Sequence, residues 1–343
     1  MMRTRDYEVA DASAWDNFVH RHPQGSPFHL IAWKKSIEET FGYRPFYLAV
    51  DDSSGLRGVL PLFLVSNRII GNALISSPFA VYGGILADSV EAANALKERV
   101  QSLGRSLQVD YIELRNAYPE QCVGFTRDRS HVTFSQVLTG DEAAILGMIP
   151  RKTRYTVRKA LKNHFSTRCQ ETDFSAFADL YAENLQRLGT PCFPSRHFER
   201  LIANFGRNVD IREVLLDGIV VAAVMSFYFR DQVLPYYGAA DIRCKDLSPT
   251  SYMYFDQMRW AAKTGYRIFD FGRSTKASGA SNFKAHWGMQ ERELPYELLL
   301  IKRKELPNHN ADNFHLRMAI KLWQSLPRRV TKLLGPALIR LAP

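Results

Sequence analysis

The strongest constraint on this chain is a pattern that occurs twice in the same order. In the first half, Phe41-Gly42 is followed by an apolar run from Pro45 to Val50. A turn at Asp51 to Gly55 leads into a second run from Gly58 to Val65. In the second half, Phe205-Gly206 precedes Asp210 to Leu216, and Asp217-Gly218 leads into Ile219 to Phe229. Turn residues between apolar runs of this length are hairpin signals. Tyr82-Gly83-Gly84, within Phe79 to Leu86, then has a counterpart in Tyr237-Gly238, within Val233 to Ala240. Each is followed by a helix-patterned stretch, Ser89 to Leu107 and Ser248 to Lys263. Each helix leads into a strand carrying arginine near its end, Val109 to Arg115 and Tyr266 to Arg273. A fixed order of elements repeated at long spacing reads as a duplicated unit.

A meander followed by a helix and a further strand calls for a mixed, largely antiparallel sheet, not strict βαβ alternation. A chain of 343 residues suits two domains of roughly 150 residues each. The joint falls near Thr139 to Pro150, where Asp141 to Met148 has the length of a short helix. The expected division is therefore 1–140, 141–305 and a helical tail at 306–343. Hydrophobic residues make up 46% of the chain, enough to fill two cores, so a disordered chain is excluded.

Several chemistries lack their usual signatures. No G-x-G-x-x-G follows a strand, and no phosphate-cradling G-x-x-x-x-G-K-[ST] occurs. No G-x-S-x-G or H-E-x-x-H is present, and no metal site is expected. The four cysteines are scattered without a C-x-x-C pair and read as reduced thiols of a cytoplasmic protein. Cys192, in the Pro-rich loop Gly189 to Pro194, is a weak candidate for an exposed thiol. The first ten residues are charged and lack the apolar core of a secretory signal.

The net charge of +10 points to anionic partners. Arg151 to Arg168 concentrates it, with no acidic residue between Glu142 and Glu171. On a helix, Arg151, Arg154, Arg158 and Lys162 share a face, with Lys152 beside them. A phosphate-bearing substrate, an RNA backbone or an ordinary solvated face would each suit this run. The second chemical stretch is Phe269 to Gly288, where a strand ends in a loop rich in Gly, Ser and Ala. Asp270, Arg273, Lys276 and Lys284 stand in it, and Phe283 and Trp287 are spaced to anchor it. Tyr82 and Tyr237 are paired candidates for substrate contact, since the adjoining glycines let backbone approach a ligand.

An ordered set of these segments resembles a known family. H-P-Q-G-S-P-F-H-L-I-A-W (His22 to Trp33) is followed by F-G-Y-R-P-F-Y-L (Phe41 to Leu48), V-L-P-L-F (Val59 to Phe63), P-F-A-V-Y-G-G-I (Pro78 to Ile85) and Y-I-E-L-R-N (Tyr111 to Asn116). P-R-K-T-R-Y-T-V-R-K (Pro150 to Lys159) opens the second half, and D-F-G-R-S (Asp270 to Ser274) and N-F-K-A-H-W-G (Asn282 to Gly288) close it. Together they resemble the FemAB-like acyltransferases, in particular the branch associated with exosortase and PEP-CTERM gene clusters. The resemblance implies two tandem GNAT-like (acyl-CoA N-acyltransferase-like) α/β domains with mixed sheets. It also implies transfer of an acyl or aminoacyl group to an amine, in work tied to peptidoglycan, exopolysaccharide or surface-protein export. By the F-K-x-x-[FW]-G match, Lys284 lies near the transfer site. The loop at Ala277 to Asn282 and the residue His286 depart from the family's usual pattern, which bears on substrate rather than fold.

Two readings follow. In the first, the chain is an acyl or aminoacyl transferase with Lys284, Arg273 and Asp270 at the chemistry. Tyr82, Tyr237, Arg151, Lys152, Arg154, Arg158 and Lys276 hold substrate. The expected donor is aminoacyl-tRNA; acetyl-CoA is disfavoured because its pyrophosphate loop is missing, and no cofactor is expected. In the second, the duplicated fold is an inactive adaptor for an anionic carrier or polymer. The partners expected are tRNA or a lipid-linked precursor, and no DNA. Phe314 to Pro343 contains six basic residues and no acidic one. Ile320 and Trp323, and then Val330, Leu333, Leu334 and Leu338, fall at helical spacing on either side of Pro327. Such a tail would either bind an anionic inner-membrane surface peripherally or dock on the second domain.

Overall fold

The computed structural model describes residues 2–67, 70–118, 124–170, 172–305, 314–341 and 343. Cys122 lies outside them. The chain forms two compact units. The first comprises Met1–His131, Glu293–Asn310 and Arg340–Pro343; the second comprises Val132–Arg292 and Ala311–Ile339. The sequence reading set its boundaries at 140 and 305. Residues 132–140 instead belong to the second unit, and residues 293–305 to the first.

The first unit opens with β1 (Arg3–Asp6), α1 (Ala12–Arg21) and α2 (Ile31–Phe41), which stops at Gly42 in the left-handed region that glycine favours. Then come β2 (Arg44–Pro45), β3 (Leu48–Asp52), β4 (Gly55–Leu60), β5 (Phe63–Asn67), β6 (Gly71–Ile75) and β7 (Leu86–Ala87). α3 (Val90–Ser106) is capped by Ser89, whose side chain accepts from the Ala92 amide, and β8 (Tyr111–Leu114) follows. β1, β3, β4 and β7 form one antiparallel sheet. β2, β5 and β6 are antiparallel neighbours, and β6 runs parallel to β8. Leu96 and Val100 of α3 pack on Leu48, Leu60, Leu74 and Ile112.

Two expectations change here. Gly58 to Val65 is not one strand: β4 and β5 belong to different sheets. Pro61, which has no N–H for a ladder, stands between them. Phe79 to Leu86 is not a strand either, except for Leu86 itself. Phe79 has φ +62° and Gly83 φ +147°, so Tyr82 sits in irregular backbone while its counterpart Tyr237 lies within a strand.

β9 (Thr126–Val137) passes from the first unit into the second, where α4 (Glu142–Met148) and α5 (Arg151–Ala160) follow. β10 (Phe165–Gln170), α6 (Ser175–Arg187) and α7 (Ser195–Phe205) precede the meander of β11 (Val209–Leu216), β12 (Ile219–Phe229) and β13 (Gln232–Ala240). α8 (Pro249–Lys263) carries the chain to β14 (Ile268–Thr275) and α9 (Gly279–Ala285). β15 (Gln290–Leu300) then runs back into the first unit, where it pairs antiparallel with β8. α10 (Phe314–Ser325) and α11 (Arg328–Leu338) complete the second unit.

β10 to β13 form an antiparallel ladder. β14 lies parallel to β13, but only Gln232↔Ile268 and Val233↔Phe269 are paired. Beyond that point β13 runs on without β14 as its ladder partner. Further along β13, Tyr237 faces Met225 while Pro235 faces Ser226, leaving Tyr236 as the extra residue of a bulge. The proline has no ladder hydrogen bond to lose at such an irregularity. The basic run is not one helix, because α5 ends at Ala160 and Arg168 lies on β10, donating to Glu213 at 2.7 Å.

Candidate active site

β13 and β14 share only two ladder pairs, and beside them residues from α8, β14 and α9 converge. α8 lays Tyr254 across β13. A side-chain carbon on Gly238 would lie 2.8 Å from the Tyr254 hydroxyl, so glycine is needed for this approach. The Tyr254 ring meets Phe271 edge-on at 4.8 Å and lies 5.9 Å from both Phe283 and Trp287. These aromatic contacts clamp α9 onto β14 and α8, the anchoring role expected of Phe283 and Trp287. Burial pushes the Tyr254 phenol up to about 12, so it remains a proton donor at neutral pH.

Clamped in this way, α9 points Lys284 at the middle of β14. Its Nζ donates to the carbonyl oxygens of Gly272 at 2.9 Å and Arg273 at 2.8 Å. Burial pushes the ammonium down to about 8; Asp270 opposes the shift and the Arg273 charge adds to it. Gly272 has φ +65°, and its amide donates to Asp270 at 2.7 Å. Thr133 donates to the same carboxylate oxygen at 3.4 Å. Lys284 thus lies on the Arg273 backbone, within electrostatic reach of both Asp270 and the Arg273 charge. Asp270 nonetheless accepts from the Gly272 amide where β14 takes a positive φ, which is a structural task. Lys276 is exposed one residue past β14. The loop expected between Phe271 and Phe283 contains α9 itself, started by Ser278 accepting from the Ser281 amide.

The basic helix abuts the end of α9. Thr153 of α5 donates its hydroxyl to the His286 carbonyl at 2.6 Å, two residues beyond Lys284. Gly288 lies against Pro150, where a side-chain carbon would come within 2.9 Å of the ring. Arg151, Lys152, Arg158, Lys159 and Lys162 are exposed, with Tyr155 standing out among them. None of these five cations forms an ion pair among the described residues. Arg154 differs from its neighbours, because it donates to the carbonyls of Gly147 and Ile149 at 2.8 to 3.0 Å. It closes the end of α4 instead of joining the exposed face.

Tyr237 is buried in a nest of rings from α6, α7 and β13. Its hydroxyl lies 2.9 Å from Nε2 of the buried His197, and Tyr181, Phe193, Phe198 and Tyr236 surround it. Burial pushes His197 down to about 3, keeping the imidazole neutral. Tyr82 belongs to the first unit, buried beside Phe28. Cys192 is not an exposed thiol. It is buried against α11, its Sγ 3.6 Å from the Thr331 carbonyl, and burial raises its pKa. Sequence reading missed Tyr254 and also Ser274, a buried hydroxyl on β14 with no hydrogen-bond partner among the described residues. An orphaned buried hydroxyl is a group that a ligand or an ordered water would satisfy. Among the described residues no group of side chains could hold a metal ion.

With this geometry, residues 151–285, from α5 through Lys284, match the acetyltransferase (GNAT) domain family. The chain is similar to the crystal structure of FemX, with TM-score 0.71 at 16% identity, over 87% of this chain and 98% of that one. It is similar to a tandem GNAT protein from the clavulanic acid biosynthesis pathway, with TM-score 0.58 at 9% identity, over 89% and 100% of the two chains. It is also similar to the C-terminal domain of a putative lysylphosphatidylglycerol synthetase from Agrobacterium fabrum, with TM-score 0.57 at 9% identity, over 92% and 95%. No curated protein sequence matches it. The fold is thus a mixed α/β tandem GNAT-like architecture that carries an acetyltransferase (GNAT) domain in its second half.

Proposed function

We propose that this chain transfers an acyl or aminoacyl group from a phosphate-bearing donor to an amine, beside the Gly272–Arg273 stretch of β14 where Lys284 is held. The observation that carries this is the tie between the basic helix and the end of the lysine-bearing helix α9, Thr153 to the His286 carbonyl at 2.6 Å. It sets a row of cations, unpaired among the described residues, beside a lysine whose charge is held at a cost. The acceptor amine attacks the donor carbonyl, and negative charge develops on the carbonyl oxygen. Lys284 and the Tyr254 hydroxyl are the donors suited to meet it. The carbonyl–oxygen double bond then reforms and the donor's oxygen leaves, with the amine's proton passing to a substrate group or to solvent.

A coenzyme A thioester fits this chain poorly. The segment from Ala240 to α8 contains no glycine. The amides of Ser251 and Tyr252 are taken by the Ser248 carbonyl, and Pro249 has no N–H. Arg243 there is bound to Asp241 at 2.6 Å. An aminoacyl-tRNA donor and a lipid-linked or surface-polymer acceptor are the reading that the α5 charges and the ordered motifs from His22 to Tyr296 support. They also support a place in the exosortase-associated branch. The adaptor reading draws on Asp270, the carboxylate at the site, which is occupied by the Gly272 amide. The two readings separate in one experiment. Purified protein is mixed with a radiolabelled aminoacyl-tRNA pool and an amine acceptor, and in parallel with acetyl-CoA and a thiol-trapping reagent. Transfer of label that is lost in Lys284→Met supports the proposal. Thiol release without label transfer would replace the donor, and binding of tRNA without transfer would favour the adaptor.

A further inference from the structure

The tail joins the two alternatives that its sequence left open. α10 and α11 dock on α6 by one face. Trp323 donates to the Thr190 carbonyl at 3.2 Å, and Gln186 donates to the Leu326 carbonyl at 2.7 Å. Arg328 meets Glu183 at 2.6 Å and Lys332 meets Asp179 at 2.5 Å. Gly335 lies against Cys192, where a side-chain carbon would come within 2.5 Å of the sulfur. This docking uses up only the inner side. Met318 and Leu322 are exposed four residues apart on α10, and Leu333, Leu334 and Leu338 on α11; Leu322 is 65% and Leu333 79% accessible. A helix pair that merely packed on its own domain would turn such residues inward.

The charge on this outer side has one sign. Arg317 and Lys321 stand beside Met318 and Leu322, and Arg329 lies one turn from Leu333. All three are exposed and, among the described residues, unpaired, whereas Arg328 and Lys332 are held by carboxylates of α6. The tail contributes no acidic side chain from Phe314 onward. Leucines interleaved with unpaired cations match the boundary between anionic headgroups and acyl chains, where leucine side chains leave water and each cation strengthens partitioning about fivefold. Among the described residues no helix is long and apolar enough to cross a membrane.

We infer that the outer face of the α10–α11 pair, while still docked on α6, is a peripheral binding surface for an anionic lipid bilayer. It does not depend on whether the second unit transfers acyl groups. The test is sedimentation of the full chain with vesicles of phosphatidylglycerol mixed with phosphatidylcholine, and with vesicles of phosphatidylcholine alone. Wild type should pellet with the mixed vesicles at low salt, be released by added salt, and stay in solution with the neutral ones. Leu322→Glu combined with Leu333→Glu should lower partitioning at least about tenfold. Arg317→Glu with Lys321→Glu should do the same. Both residue pairs are exposed, so unchanged thermal unfolding would show that the fold is intact. Wild type remaining in the supernatant at low salt overturns the inference, as does a leucine double variant that pellets like wild type. So would a solution dimer that the leucine variant abolishes while vesicles leave both proteins unbound, since the face would then be a contact between copies.

Discussion

Replacing Lys284 by methionine tests the site without knowledge of any substrate. The ammonium's ordinary value of 10.5 falls to about 8 in the folded protein. The folded state therefore binds this proton less tightly than the unfolded chain, and stability rises with pH between the two values. Below about 8 the full cost is present; above about 10.5 it is gone. Each pH unit of difference corresponds to about 1.4 kcal/mol, so the limit is roughly 3 kcal/mol, and the side chain's partial exposure brings the expected figure to about 2. Methionine fills similar volume and binds no proton. At neutral pH the variant gains that relief but leaves the Gly272 and Arg273 carbonyls without their donor, a loss of similar size. The two proteins should then differ by less than about 1 kcal/mol near pH 7. Near pH 10 wild type should have gained about 2 kcal/mol on the variant. Urea unfolding followed by tryptophan fluorescence at both pH values measures this. A difference that does not move with pH would refute the argument that Lys284 is held at a cost.

Three further outcomes are expected. Burial depresses His197 to about 3, so wild type loses stability as pH falls below the ordinary imidazole value of 6.5. His197→Phe should reduce the acid slope of unfolding free energy by about 1.4 kcal/mol per pH unit between about pH 4 and 6, read from urea titrations. Arg154→Ala should cost roughly 1–3 kcal/mol by freeing the end of α4, yet leave tRNA retention on a filter unchanged. The exposed pair Arg158→Glu and Lys159→Glu should do the reverse, changing stability by less than about 0.5 kcal/mol while weakening retention and flattening its salt dependence. Gly238→Ala should bring a methyl against the Tyr254 hydroxyl and reduce transfer about tenfold or more, with the melting temperature shifting by only a few degrees.

How far the sequence could be read varies with the physics at each place. The meander of the second unit was legible because Asp217-Gly218 and the apolar runs on either side act locally. The division between β4 and β5 was legible too in principle, since Pro61 demotes any strand drawn through it. Phe79 could not be read, because a left-handed phenylalanine is imposed by its surroundings and not by its own preference. Asp270, Arg273 and Lys284 were found because they lie within fifteen residues of one another. Tyr254 was not, since on α8 its spacing matches that of core residues such as Met258, and only the approach of Gly238 from β13 distinguishes it. Arg154 looked like its neighbours for a similar reason: its spacing put it on a basic face, while its partners are carbonyls of the preceding helix.

The passage of β9 and β15 between units has a consequence for synthesis. β8 receives its antiparallel neighbour β15 only after the intervening second unit has been made. At ribosomal rates of about 5–20 residues per second, an interval on the order of ten seconds separates the two strands. Throughout it, one side of β8 has no strand to pair with and is open to any other extended chain. The second unit meanwhile waits for α10 and α11, which emerge later still. No single cut therefore yields either unit whole, and a fragment ending near residue 140 should aggregate where the full chain does not. The same interleaving makes the interval between β8 and β15 the natural place for a chaperone to act.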